Sequence, residues 1–230
     1  MNSIYSSWSN IFLAHIKRDI LINFRSLIDL ISIIGFMILI IILFPLGLGP
    51  VQEKINIVSN AVIWVGLILA IIPSLEKLLQ KDYENGWLDQ IATSPIPLEI
   101  IMLSKGMSYW LIMLIPLILT SPIFAILLNM DLKNIPWLVI SISSGSLAIS
   151  LIGLIGSALI LGTKRGNILL PILIIPLMTP ILIFGVGVNE AIKINEPPYG
   201  NLFLLLAFTL IYLVISPFIS ALLVRIAIGR

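Results

Sequence analysis

The charges divide the sequence, and the gaps between them fix what it can fold into. Uncharged runs occupy 30–52, 55–75, 106–130, 134–163, 166–189 and 197–224. Each is longer than the ~20 residues an α-helix needs to cross a hydrocarbon layer of about 30 Å. A central Asp, Lys or Arg costs roughly 2.5–3.5 kcal/mol on insertion, and none of the six interiors contains one. The runs predict an all-α integral membrane protein with one membrane domain over 1–230. Its six transmembrane helices fall at about 29–49, 57–75, 106–128, 137–161, 168–188 and 202–224. Only 10% of the residues are charged, against roughly 25% in soluble domains, so water could not be the solvent for this chain's surface.

Lys and Arg placement sets the orientation. With both termini in the cytoplasm, the cytoplasmic segments hold Lys17, Arg18, Arg25, Lys77, Lys81, Lys105, Lys164, Arg165, Arg225 and Arg230, whereas Lys54, Lys133 and Lys193 face out. Residues 1–26 are charged and lack a short apolar core with a small-residue cleavage site, so they do not read as a cleavable signal. Trp8, Phe12, Ile16, Ile20 and Phe24 recur every four residues there. That spacing predicts an amphipathic helix on the inner membrane face, with Asp19 an exception close to its apolar stripe.

Pro116 and Pro122 fall in the third span, Pro171, Pro176 and Pro180 in the fifth, and Pro217 in the sixth. Each removes a backbone donor and bends a helix, for packing or as a hinge. Gly145, Ser146, Ser150, Gly153, Gly156 and Ser157 give the fourth span small-xxx-small spacing, which permits close helix approach within the chain or between two copies.

Glu76 to Lys105 is the longest stretch outside the membrane and carries eight of the 24 charged residues. Leu75, Leu78 and Leu79 continue the helical period of the second span. Gly86 is a helix stop, Leu88 and Ile91 give a short helix an apolar side, and Ser94-Pro95-Ile96-Pro97 breaks it. The segment thus reads as helix, sharp turn, short helix, break and next span. Such an element serves either as a plain connector or as something a cytoplasmic partner can push.

Absences narrow the function. No G-x-x-x-x-G-K-[ST] phosphate loop is present, so any ATP is hydrolysed on another polypeptide, and the chain is not expected to be an enzyme. Proton- or ion-coupled carriers place ionisable groups inside the bundle; the nearest candidate here, Asp29, lies at the rim four residues after Arg25, which suggests a local ion pair. The one histidine, His15, precedes the first span, and Met37, Met113 and Met178 lie in apolar runs that read as packing. There is no cysteine. No directly bound cofactor, metal site or nucleic-acid partner is expected.

Several segments in order along the chain resemble the cytochrome c maturation protein B (CcmB) family, the membrane subunit of a haem exporter. They are LFPLGLGP at 43–50, NAVIWVGLILA at 60–70, SLEKLLQKDYENGWLDQI at 74–91, SPIPL at 94–98, GTKRGNILLPILIIPLMTPILIFG at 162–185 and SPF at 216–218. The 76–97 segment also resembles type 2 ABC permeases, whose Gly-x-Leu-Glu turn is here Gly86-Trp87-Leu88-Asp89, with Asp in place of Glu. The resemblance implies that residues 82–91 form a coupling helix docking on an ABC ATPase subunit, with Asp82, Gly86, Leu88, Asp89 and Gln90 as the candidate contacts. Trp87 packs either in that groove or at the membrane edge. It further implies partnership with a haem-handling membrane protein and a small membrane subunit. A second copy of the chain and membrane lipid are further candidates. The implied location is the bacterial inner membrane, or the mitochondrial one for an organelle-encoded chain. A permease for lipid, polysaccharide or drug, and a non-transporting scaffold, stand as alternatives.

Overall fold

The computed structural model describes residues 8–23, 27–49, 51–163 and 166–229. Among these, every regular element is helical. A short helix α1 (Trp8–Asn23) precedes the first span, α2 (Leu27–Leu48). The second span, α3 (Gln52–Glu84), runs far past the expected 57–75 because Leu75 and Leu79 stay fully buried on its inner face. After α4 (Trp87–Ala92) the third span begins at Leu98, eight residues before the expected start. It is built as α5 (Leu98–Tyr109), a π-turn (Trp110–Leu114) and α6 (Ile115–Leu127). The remaining spans are α7 (Ile135–Leu159), α8 (Gly166–Lys193) and α9 (Tyr199–Ile228). Among the described residues six stretches, with α5 to α6 as one, are long and apolar enough to cross a bilayer.

Helix α7 is the axis of the bundle. Its most apolar window is 72% buried, against 22% for α2 and α9, and it packs on α3, α5, α6, α8 and α9. Small side chains make this possible, since association in lipid depends on close van der Waals contact. A Cβ on Gly153 would overlap Leu75, and one on Gly156 would overlap Ile174. The small residues of the fourth span are thus spent on packing within the chain. Met37, Met113 and Met178 sit in the same main core. The helices run through Pro122, Pro171, Pro176, Pro180 and Pro217. Around Pro116 the ladder changes instead: the Ile115 N–H reaches back five residues to the Trp110 carbonyl, forming the π-turn.

A second, smaller core closes the end of the bundle where α4 meets α3, α5, α7 and the end of α9. It joins Leu79, Leu88, Leu98, Ile101, Met102, Leu154, Ala221 and Val224. Arg225 near the end of α9 donates to Glu99 at the start of α5 (2.8 Å). At the opposite end, buried Asn60 donates to the Val186 carbonyl (2.8 Å) and accepts from Asn189 (3.2 Å), tying α3 to α8.

Candidate coupling site

The segment between the second and third spans forms a rigid corner. Helix α3 ends when the Asn85 and Gly86 N–H groups return to the Lys81 and Tyr83 carbonyls. The chain then reverses through Gly86 at φ +70°, a left-handed conformation open to glycine at little cost. The Gln90 N–H donates to the Gly86 carbonyl, starting α4. The helix is closed by Thr93, whose hydroxyl donates to the Gln90 carbonyl (2.9 Å), and by Ser94, which donates to Ile91 (2.7 Å). Pro95 and Pro97 cannot extend it.

The candidate contact residues divide into two groups. Asp89 and Gln90 are exposed at the tip of the corner. Leu88 is 0% exposed, and it is the peg that seats α4 in the smaller core. Gly86 forms the turn. Asp82 faces inward and pairs with Lys105 on α5 and with Arg18 on α1 (3.6 Å).

Asp82 belongs to a charge cluster whose other members are not among the candidate contacts. Lys105 is 5% exposed and Asp19 is 2% exposed. Lys105 Nζ donates to Asp19 Oδ1 (2.9 Å), which also accepts from Arg18 (2.9 Å). Buried ionised groups of this kind persist only with partners, and each cation here has two carboxylates. Trp87 packs within the chain: the Arg18 guanidinium lies 4.0 Å and Lys105 Nζ 4.9 Å from its ring centre, a cation–π arrangement. His15 meets the same ring edge-on with centroids 5.9 Å apart. Helix α1 is thereby docked on α5 and on the root of α4, with Leu13 and Leu21 left exposed on its other side. Asp19, which breaks the apolar stripe, is its deepest residue. That exception, together with a lone lysine opening an uncharged run, was the available signal.

Asp29 receives Lys77 (2.8 Å) and Lys81 (3.7 Å) from α3, a pairing across helices; Arg25 and Phe24 lie outside the described residues. These charges border a cleft of ≈ 60 Å³ lined also by Ser74, Tyr109, Ile112 and Met113.

Burial holds the His15 imidazole below its ordinary pKa of 6.5; nearby Asp19 opposes this, while Arg18 and Lys105 add to it. The neutral ring is the form that fits, so the docking of α1 is complete above that value and weakens as pH falls through the lower folded one. Because His15 is the only histidine, its NMR titration is unambiguous. Its midpoint is expected below 6.5 and to rise in Trp87→Ala, whose loss re-exposes the ring. A midpoint at the ordinary value would contradict the docked geometry.

The fold and site together define a class: a polytopic membrane protein with no nucleotide-binding loop of its own and with a braced corner between its second and third spans. Comparison with known proteins makes this particular. The chain belongs to the CcmB protein family, whose profile matches residues 10–227. It is 37% identical over 222 residues to heme exporter protein B of Pseudomonas aeruginosa, covering 96% of this chain and all of that one. The Haemophilus influenzae protein of the same name is 37% identical over 221 residues, with 96% and 100% covered. That of Escherichia coli K12 is 32% identical over 212 residues, with 92% and 96% covered.

Proposed function

We propose that this chain is the membrane subunit of a bacterial haem-export complex serving cytochrome c biogenesis, worked from outside the bilayer by a separate ABC ATPase. The family membership and the names of the relatives support the haem-export role. One observation carries the coupling: α4 presents exposed Asp89 and Gln90 on a helix seated by fully buried Leu88. A contact made at that tip cannot be absorbed by loop flexibility and passes into the spans on either side. Lys and Arg bias supports a cytoplasmic position for this end of the bundle, within reach of an ATPase, with α1 on the inner face of the plasma membrane. Asp89 and Gln90 touch the partner, while Asp82, Gly86 and Leu88 hold the corner in shape. Movement of the bundle then acts on a haem-handling membrane protein and a small membrane subunit.

The test is a pull-down from membranes with subunit identification. Asp89→Arg with Gln90→Arg reverses charge and adds bulk at the tip without entering either core. The ATPase is expected to be lost from the double variant, with unchanged membrane insertion. Undiminished ATPase recovery would remove α4 as its dock. Recovery of an ATPase without haem-pathway partners would point to a different cargo.

A further inference from the structure

We infer that Lys105, clasped by Asp19 and Asp82, is the positioning residue through which movement of α4 enters the third span, and that α1 travels with α4 as part of the same moving body. The inference rests on the coupling reading above and adds to it where the motion goes. Lys105 Nζ is the single point at which three elements are fastened: α5 carries it, Asp82 on α3 pairs with it, and Asp19 on α1 accepts from it at 2.9 Å. Trp87, the first residue of α4, lies under the same Nζ and under Arg18 of α1. A displacement of α4 therefore cannot leave α1 behind without uncovering both Lys105 and Asp19, which are almost fully buried.

The third span is built to yield just beyond this clasp. Five residues after Lys105 the helix changes to the π-turn Trp110–Leu114, a site where the regular ladder is already broken. Beyond it, Pro116 offers no backbone N–H. Trp110 Nε1 donates to Ser146 Oγ on α7 (2.9 Å), which fixes the turn to the axial helix. Below it, α5 rests on α7 through Gly106, whose carbonyl accepts from Ser150 Oγ (2.7 Å). On another side Lys105, Tyr109, Ile112 and Met113 border the same cleft of ≈ 60 Å³. Packed interiors resist displacement, so free volume along one side of α5 gives its lower half somewhere to move.

The chain has no native cysteine, so spin labels can be placed without background in the assembled complex with cysteine-free partners. Labels at Lys17→Cys and Thr93→Cys report α1 against the corner. Labels at Thr93→Cys and Glu196→Cys report the corner against the far end of the bundle. On exchanging ADP for a non-hydrolysable ATP analogue, the Thr93–Glu196 distance is expected to shift and the Thr93–Lys17 distance to stay fixed. In Lys105→Met the Thr93–Lys17 distance should become nucleotide-dependent and complex-stimulated ATP turnover should fall to its unstimulated level. Lys105→Arg should restore both. A wild-type Thr93–Lys17 distance that shifts with nucleotide makes α1 a static anchor and overturns this inference alone, as does a Lys105→Met variant that behaves as wild type. If neither wild-type distance moves, the coupling reading fails and takes the inference with it.

Discussion

Replacing Gly185 with leucine is expected to keep the bundle from closing. Trp64 on α3 is 0% exposed and lies in a slot walled by Gly185 on α8 and Gly145 on α7. A Cβ at Gly185 would sit 2.6 Å from two atoms of the indole ring, and one at Gly145 would sit 2.8 Å from it and 3.0 Å from Leu205. The ring is rigid and bordered on both sides, so it has no cheap retreat. Overpacking a core costs typically 1–3 kcal/mol, and leucine adds three more carbons beyond the clashing one. Within lipid no hydrophobic gain offsets the lost contact, because hydrocarbon tails solvate leucine equally well. A loss of at least ~3 kcal/mol, about a hundredfold in the folded ratio, should appear as a lower unfolding temperature in detergent and as degradation in membranes. Trp64→Ala in the same chain vacates the slot and should recover much of the loss. A Gly185→Leu chain as stable as wild type would mean that α3 and α8 do not meet at this slot.

The second large effect is local. Leu88→Ala removes the peg of α4 from the smaller core. Truncating a buried leucine costs roughly 2–5 kcal/mol, while a six-residue helix has almost no stability of its own. Residues of α4 are therefore expected to exchange amide hydrogens far faster and the ATPase to be lost from pull-downs, while the spans, held by the main core around Trp64, keep wild-type protection. Leu88→Met preserves volume and should cost under about 1.5 kcal/mol. Equal slowing of exchange in α4 of the alanine variant and wild type would show that its helix is not held by this residue.

These two expectations draw on different kinds of information. The count of spans, their approximate places and the corner after Glu84 are legible residue by residue. Each charge excluded from a lipid-crossing run has a large cost wherever the rest of the chain lies, and glycine and proline act on their own backbone. The same local logic misplaces the start of the third span at residue 106. It makes Lys105 a boundary, although a partner elsewhere in the chain lets it lie seven residues inside the helix.

What the residues determined alone is thus an all-helical membrane protein with six crossings, a basic end and a punctuated segment between the second and third of them. Only the tertiary structure decided that Asp19 and Asp82 meet at Lys105, that Trp87 lies beneath two cations, and that Asp82 and Leu88 turn inward while Asp89 and Gln90 remain outside. The physical reason is range. Exclusion of charge from hydrocarbon is a property of each residue in its own stretch, whereas Asp19 and Lys105 stand 86 residues apart. Whether such a pair can be buried depends on which helices come to lie side by side.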